Sequence, residues 1–430
     1  MIKTALKKIV ISILEWEAQL ILKKYKPKVI GVTGNIGKTS TKDAIATVLS
    51  KRFDVRKSEK SYNSEIGIPL TILGVKSGWS NPFTWIKNII EGLLLILFKA
   101  QYPEWLVIEI GADRPGDIEN TISWLKLTVG VVTYVGDLPV HVEFFSSQKA
   151  LVREKTFVAT APGPTGLVIL NQDNQTVLDM QEKVRAPVLT FGFDDRATIQ
   201  ASNEHITYKD GLPDGVTFKV DYKGKSVPIR ISGVVGKHIV YTVLPAILVG
   251  AYQGMNLVEI IDALQEYMPP GGRSRLVSGL KGSMIIDDTY NSSPHALEAA
   301  LRCLEEIDVS GKKIAVLGDM MELGKYTIDA HTAAGEHAAK TVDTLYLVGQ
   351  RARFIAEGAK AAGMKSDQIF LYDDSQKAGE DLQNKLRKGD VVLAKGSQYV
   401  RMEKAVKEIM AHPEDAEKLL VRQDKEWLNR

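Results

Sequence analysis

The segment Gly31-Val32-Thr33-Gly34-Asn35-Ile36-Gly37-Lys38-Thr39-Ser40 holds the residue types and spacing that most directly imply chemistry. An apolar run, Val29–Val32, precedes it, and a helical pattern, Thr39–Leu49, follows. Glycines let backbone N–H groups curl round an anion, and a helix N-terminus adds its positive dipole end. Lys38 suits the outer phosphates of ATP, and the Thr39 hydroxyl suits Mg²⁺. Gly34, Asn35, Gly37 and Ser40 complete the expected cradle. The general form of such a loop has glycine at position 32; here Val32 stands there, with glycines at 31, 34 and 37. A glycine-rich turn without a ligand is the competing reading, and it rarely carries Gly-Lys-Thr-Ser between a strand and a helix.

A parallel sheet is what positions such a loop. Strand-like runs at Val29–Val32, Leu106–Ile110, Val129–Val135 and Leu167–Leu170 alternate with helical patterns such as Gln148–Ala161. This rhythm predicts a P-loop α/β unit with a parallel sheet covered by helices. Residues 198–231 break the rhythm with short alternating runs around Lys209-Asp210-Gly211 and Lys223-Gly224, which predicts a small antiparallel β insertion. A helix from His238 to about Gly250 resumes the α/β pattern. Pro269-Pro270-Gly271-Gly272 reads as a hinge. Beyond it, strands at Met284–Ile286, Ile314–Leu317, Leu345–Val348, Ile369–Tyr372 and Val391–Ala394 predict a Rossmann-like α/β C-terminal unit. The division expected is 1–27, 28–268 and 269–430.

Composition agrees with a globular chain of about three units. Of 430 residues, 44% are hydrophobic and 25% charged, which speaks against disorder. A net charge of +3 is too small to argue for nucleic acid as the main partner. The single cysteine, Cys303, excludes an intrachain disulfide and a cysteine-built metal site.

Two apolar stretches need a place. In residues 1–26 apolar positions recur at near-helical spacing among six lysines, and Glu15, Glu17 and Gln19 interrupt the run. No small-residue cleavage site follows, so a signal peptide is not expected. The stretch from Phe83 to Phe98 ends in Leu93–Phe98, and both stretches are too short to span a bilayer. Two helices packing on each other or on the α/β unit is the favoured reading. Peripheral contact with a membrane surface is the alternative, because Trp16, Trp79, Trp85 and Trp105 lie in or beside them.

Further motifs carry a resemblance to the Mur ligases, whose loop has the form Gly-x-x-Gly-x-x-Gly-Lys-Thr. Asn63–Thr71 is similar to the family's segment after its second strand, Glu109-Ile110-Gly111-Ala112 to its Glu-x-Gly-Ala, and His141-Val142-Glu143-x-Phe145 to its His-x-Glu segment. Lys155 falls at the family's modified lysine. Asp287–Pro294 and Val316–Gly324 resemble the MurF branch most closely, and Lys395-Gly396-Ser397 with Met402-Glu403 resembles its last motif. The likeness runs in order over about residues 28–425.

The resemblance implies ATP-dependent amide formation through an acyl phosphate. Its expected substrates are UDP-N-acetylmuramoyl-tripeptide and D-alanyl-D-alanine, used by a monomeric enzyme in the cytoplasm. Thr39 and Glu109 would hold the first Mg²⁺ as hard oxygen donors, and His141 would help bind a second. Lys155 would react with CO₂ to give a carbamate that also serves the metal; a lysine paired on a solvated face is the alternative. Arg273 would reach the γ-phosphate, with Arg275 its competitor. His238, Asp288 and Asn291 would contact the nucleotide, the other reading of Asp287-Asp288 being a helix cap. Asp319, Glu322 and Lys395 are expected along the site of the incoming dipeptide.

Three departures from the family pattern stand out. Only 27 residues precede the phosphate strand, where the family has a UDP-holding domain. Gly-x-His-Asn-x-x-Asn becomes Gly236-Lys237-His238-Ile239-Val240-Tyr241-Thr242, which retains the histidine and replaces both asparagines. Gln398 stands where arginine is usual, with Arg401 close by. The first departure raises an alternative donor, a lipid-linked or polymeric carboxylate at the inner face of the membrane.

Overall fold

The computed structural model describes residues 2–59, 62–79, 81–136, 145 and 147–428, with side chains from Lys7 onward. Among them, the first sheet has nine strands in the order β2-β3-β1-β4-β5-β6-β7-β8-β9. Its elements in chain order are α1 (Ile2–Tyr25), β1 (Lys28–Thr33), α2 (Lys38–Leu49), β2 (Val55–Lys57), α3 (Gly67–Leu73) and α4 (Pro82–Leu97). Next come β3 (Trp105–Glu109), α5 (Asp117–Trp124), β4 (Val129–Val132), α6 (Gln148–Thr160), β5 (Leu167–Asn171), α7 (Gln175–Leu178) and β6 (Val188–Gly192). The series closes with β7 (Ile199–Lys209), β8 (Leu212–Tyr222), β9 (Lys225–Ser232), α8 (His238–Tyr252) and α9 (Leu257–Gln265).

β1, β3, β4 and β5 are largely apolar runs because both faces of a parallel sheet are covered. On one face, Ile30, Val32, Val107 and Val131 pack with Ala44, Ile45 and Val48 of α2 and with the apolar side of α8. On the other, Val29, Leu106 and Ile108 meet Leu14, Ala18 and Ile21 of α1, Leu70 and Leu73 of α3, and Leu151 of α6. The near-helical spacing of the N-terminal stretch therefore serves the core.

The stretch predicted as an insertion is antiparallel, but it continues the same sheet: β7 pairs parallel with β6, and β8 and β9 follow as hairpins. The Asp210-Gly211 and Lys223-Gly224 turns stand where expected, with positive φ at all four residues. The predicted strand Val129–Val135 ends at Val132 because Thr133 turns to brace the loop after β1.

The second sheet has the order β10-β11-β15-β12-β13-β14. Its elements are β10 (Arg275–Ser278), β11 (Met284–Asp288), α10 (Pro294–Glu306), β12 (Lys313–Gly318), α11 (Thr327–Thr341), β13 (Thr344–Val348) and α12 (Ala352–Ala361). β14 (Ile369–Tyr372), α13 (Ser375–Lys385), β15 (Val391–Lys395) and α14 (Glu403–Ile409) follow, with two short helices, α15 (Ala416–Leu419) and α16 (Lys425–Leu428), at the end. All pairs are parallel except β10 with β11.

Candidate active site

The loop between β1 and α2 is shaped by its glycines. Gly34 has φ 146°, and a Cβ there would lie 2.0 Å from Thr133 Oγ1. Gly37, at φ 84°, ends the loop and begins α2. Gly31 serves packing instead, since a Cβ would meet Leu127 Cδ1 at 2.6 Å. Val32 is buried in the core, so the position that is glycine in the general loop is here an ordinary strand residue. Thr133 Oγ1 donates to the Ile36 carbonyl at 2.6 Å, and Asn35 N donates to the Tyr134 carbonyl at 2.6 Å. The Ser40 carbonyl accepts from Tyr267 Oη at 3.3 Å, which ties α2 to the segment after α9.

A chain of polar contacts crosses the start of α2. Arg273 Nη2 lies 3.5 Å from Thr39 Oγ1, and Thr39 Oγ1 donates to Glu109 Oε2 at 2.8 Å. Asn63 Nδ2 donates to the other Glu109 oxygen at 3.1 Å, and Glu109 N donates to Ser58 Oγ. Glu109 stands at the C-terminal end of β3, where ligands of parallel sheets gather. Asn63, which opens the Asn63–Thr71 motif, becomes the second partner of Glu109 through a contact 46 residues apart in sequence, which its motif alone does not reveal.

Two lysines converge on one carbonyl. Lys38 Nζ lies 2.9 Å and Lys155 Nζ 3.0 Å from the Gly34 oxygen. Burial, then the Lys38 charge, pushes Lys155 down to about 7, against the opposing pull of Glu154 and Glu109. Burial also lowers Lys38. Lys155 is 3% exposed, which removes the solvated-face reading. Its neighbour Glu154 is committed elsewhere, accepting from Gly116 N and Ile118 N at the start of α5.

The second sheet supplies the facing wall. Arg273 stacks on the Tyr290 ring at 3.9 Å. Arg275 does not reach the loop; it sits in β10 in register with Asp287. Asp287 caps no helix. Its Oδ2 accepts from Gly272 N at 2.8 Å and its Oδ1 from Thr289 Oγ1 at 2.6 Å, so it fixes the linker beside Arg273. Burial pushes Asp287 up to about 6. Asp288 accepts from Ser274 N at 3.2 Å and from Lys395 Nζ at 2.6 Å, and Lys395 also donates to the Asn291 carbonyl at 3.0 Å.

Lys395 thus joins Asp288 and Asn291, while Asp319 accepts from Ala352 N at the start of α12 and Glu322 is exposed at φ 63°. His238 opens α8 and feels the charges of Asp288, Lys395 and Arg273; burial lowers its pKa. Glu403 accepts from Arg422, which also donates to the Thr289 and Tyr290 carbonyls and so steadies the ring under Arg273. His141 lies outside the described residues.

These groups fit a magnesium nucleotide. Two cations, Lys38 and Arg273, and the amine of Lys155 surround one loop with one buried carboxylate, Glu109. Asn35 Oδ1 and Arg273 Nε are buried with no hydrogen-bond partner among the described residues, which suits a polyphosphate that would supply one. Thr39 and Glu109 offer adjacent hard oxygens, the donor type magnesium takes.

Comparison with known proteins agrees with this geometry. The chain is 27% identical over 408 residues to the UDP-N-acetylmuramoyl-tripeptide–D-alanyl-D-alanine ligase of Bacillus subtilis, covering 94% of this chain and 80% of that protein. It is 29% identical over 395 residues to the enzyme of the same name from Mycobacterium leprae, covering 86% and 71%. The crystal structure of the Thermotoga maritima MurF ligase in complex with ADP superposes with a TM-score of 0.75 at 26% identity, over 95% of this chain and 84% of that one. The sequence pattern of the Mur ligase middle domain matches residues 32–250, and that of the Mur ligase glutamate ligase domain matches residues 272–398. With its middle and C-terminal segments both matched in order, the chain belongs to the Mur ligase family.

Proposed function

We propose that this chain is an ATP-dependent amide-bond ligase of the MurF type, adding D-alanyl-D-alanine to a UDP-N-acetylmuramoyl-tripeptide in the cytoplasm. The observation that carries the reading is the convergence of Lys38, Thr39, Glu109 and Lys155 with Arg273, from the far side of the linker, on one phosphate-type loop. The named relatives supply the substrates.

A carboxylate is a poor electrophile. Transfer of the γ-phosphoryl group to it gives an acyl phosphate and ADP. The amine of the dipeptide then attacks the carbonyl carbon, and the tetrahedral intermediate expels phosphate and loses the amine proton. Both steps gather negative charge, so cations fixed in advance lower both barriers. Lys38 and the loop N–H groups of Gly37 to Thr39 hold the β- and γ-phosphates; Arg273 meets the transferring group from the second sheet. Thr39, Glu109 and Lys155, the last as its carbamate, would hold magnesium, with His141 at a second ion; bound magnesium would neutralise phosphate charge. His238, Asp288 and Asn291 take the nucleotide side of the cleft, and Lys395 keeps Asp288 in place. In this reading 28–268 binds ATP, 269–430 brings the acceptor, and Pro269–Gly272 is the hinge whose closure excludes water.

The test is phosphate release from ATP with magnesium and D-alanyl-D-alanine, with and without UDP-N-acetylmuramoyl-tripeptide, and mass spectrometry for the pentapeptide product. Donor-dependent release with product is expected. ATP binding without product would reject this donor. The second reading, a lipid-linked or polymeric carboxylate donor, is favoured by the exposed apolar side of α4. It predicts ligation only when such a donor replaces the soluble one.

A further inference from the structure

The α1–α4 pair has a bare apolar side that the ligase chemistry does not use. Asn88 and Gly92 are the buried residues of α4, which packs on α1 and α3. Contact is tight there: a Cβ on Gly92 would lie 2.4 Å from Glu17 Oε2 of α1. Lys24 of α1 donates to the carbonyls of Leu95 and Ile96 at 2.8 and 3.0 Å, and Tyr25 Oη to that of Leu95 at 2.9 Å, so the end of α4 is fastened to α1. The other side carries Phe83, Ile86, Ile90, Leu94, Leu97 and, just past the helix, Phe98, each between 48% and 79% exposed.

At one residue per 100° the first five of these fall within an arc of about 80°, and they extend along about 21 Å of helix. A contiguous apolar ridge of this kind marks an interaction site. α4 has 16 residues, and among the described residues no helix is long and apolar enough to cross a membrane. The two segments are basic in sequence. Residues 1–26 carry six lysines against two glutamates, and residues 76–99 three lysines against Glu91, whereas the whole chain is only +3.

We propose that this ridge docks the protein on an anionic phospholipid surface, with α4 lying in the plane of the headgroups and its apolar side turned into them. Apolar insertion and attraction of flanking lysines to anionic headgroups act together in such binding. A second copy of the chain fits the ridge less well, because face-to-face packing would bring like-charged lysines together. The proposal is independent of the ligase reading, since vesicle binding is read without substrate.

The test is co-sedimentation of the full chain with phosphatidylcholine vesicles containing roughly 30% phosphatidylglycerol, against pure phosphatidylcholine, at about 0.1 M salt. Pelleting with the anionic vesicles that weakens at high salt is expected. Ile90→Glu with Leu94→Glu should lower the bound fraction about tenfold or more while the variant melts like the wild type. Phe83→Ser with Leu97→Ser, at the most exposed positions, is a second arm should the first variant fold poorly. Absence of pelleting, or equal pelleting by folded variants, would overturn the proposal. So would light scattering that finds a dimer abolished by the same substitutions without vesicle binding, which would give the ridge to a second copy.

Discussion

Lys155 and Lys38 share a single acceptor: their ammonium nitrogens lie 3.0 and 2.9 Å from the same Gly34 carbonyl oxygen. Burial, and after it the neighbouring Lys38 charge, pushes Lys155 down to about 7. An ordinary lysine is neutral in about one molecule per thousand near pH 7.4. With its value lowered to about 7, Lys155 is mostly neutral at that pH, which makes its amine available to add CO₂. Lys155→Ala should therefore reduce turnover by about a thousandfold or more, and a short carboxylic acid should restore part of it. Steady-state phosphate release is the measurement; unchanged activity would remove Lys155 from the mechanism.

The same shift makes a stability prediction with a definite sign. Lys155 titrates near 7 in the folded protein and near 10.4 when unfolded, so between these values the unfolded chain binds more protons. Its contribution to stability is present above about pH 10.4 and is lost as pH falls through about 7. Lys155→Met should be more stable than the wild type at pH 6, with the gap closing toward pH 10. Urea unfolding in CO₂-free buffer across that range checks it, and a gap independent of pH would refute the assignment.

Arg273 and Arg275 divide their work by position. Arg273, on the linker, reaches Thr39 and lies flat on Tyr290. Arg275, in β10, is buried opposite Asp287. Arg273→Lys keeps the charge and loses both the planar fork and the stacking. A fall in kcat of about a hundredfold or more is expected, with KM for ATP changed only a few-fold. Arg275→Lys should act on melting temperature more than on kcat. Equal kinetic losses for the two would reverse the assignment.

The loop, both sheets and the order of the motifs were legible because each is written in contiguous residues. Contacts across the fold were not. Asn63 meets Glu109 only because β3 and the segment after β2 end side by side. Asp287 and Asp288 are neighbours in sequence yet point to opposite faces of β11, as strand residues must, so one fixes the linker and the other pairs with a lysine. That lysine, Lys395, is set by register, since β11 and β15 place Asp288 opposite Lys395. β2, β6 and β10 escaped notice for lack of a long apolar run: β2 has three residues, and β10 alternates buried and half-buried or exposed positions.

Lys395 and Asp288 form a buried pair at 2.6 Å, with side chains 2% and 13% exposed. Removing one partner strands the other's charge, which costs about 3–5 kcal/mol in comparable sites. Lys395→Met should therefore lower stability by an amount of that order, and adding Asp288→Asn should recover part of it. Equilibrium urea unfolding of the two variants tests this coupling. Additive losses would mean that the pair is not coupled.

Glu17 offers a last test, at the other end of the molecule. Its carboxylate is buried against Gly92, and neither oxygen has a hydrogen-bond partner among the described residues. Burial pushes it up to about 7. The folded state thus holds this proton more tightly than the unfolded state, whose value is near 4.3. The stability it contributes is complete below about pH 4.3 and is lost as pH rises through about 7. Glu17→Gln keeps the shape of the protonated acid without its titration. The variant should match the wild type near pH 4.5 and melt higher at pH 8, with the difference opening between these values. The same pH dependence in both proteins would mean that Glu17 is not the group whose ionisation loosens α1 from α4.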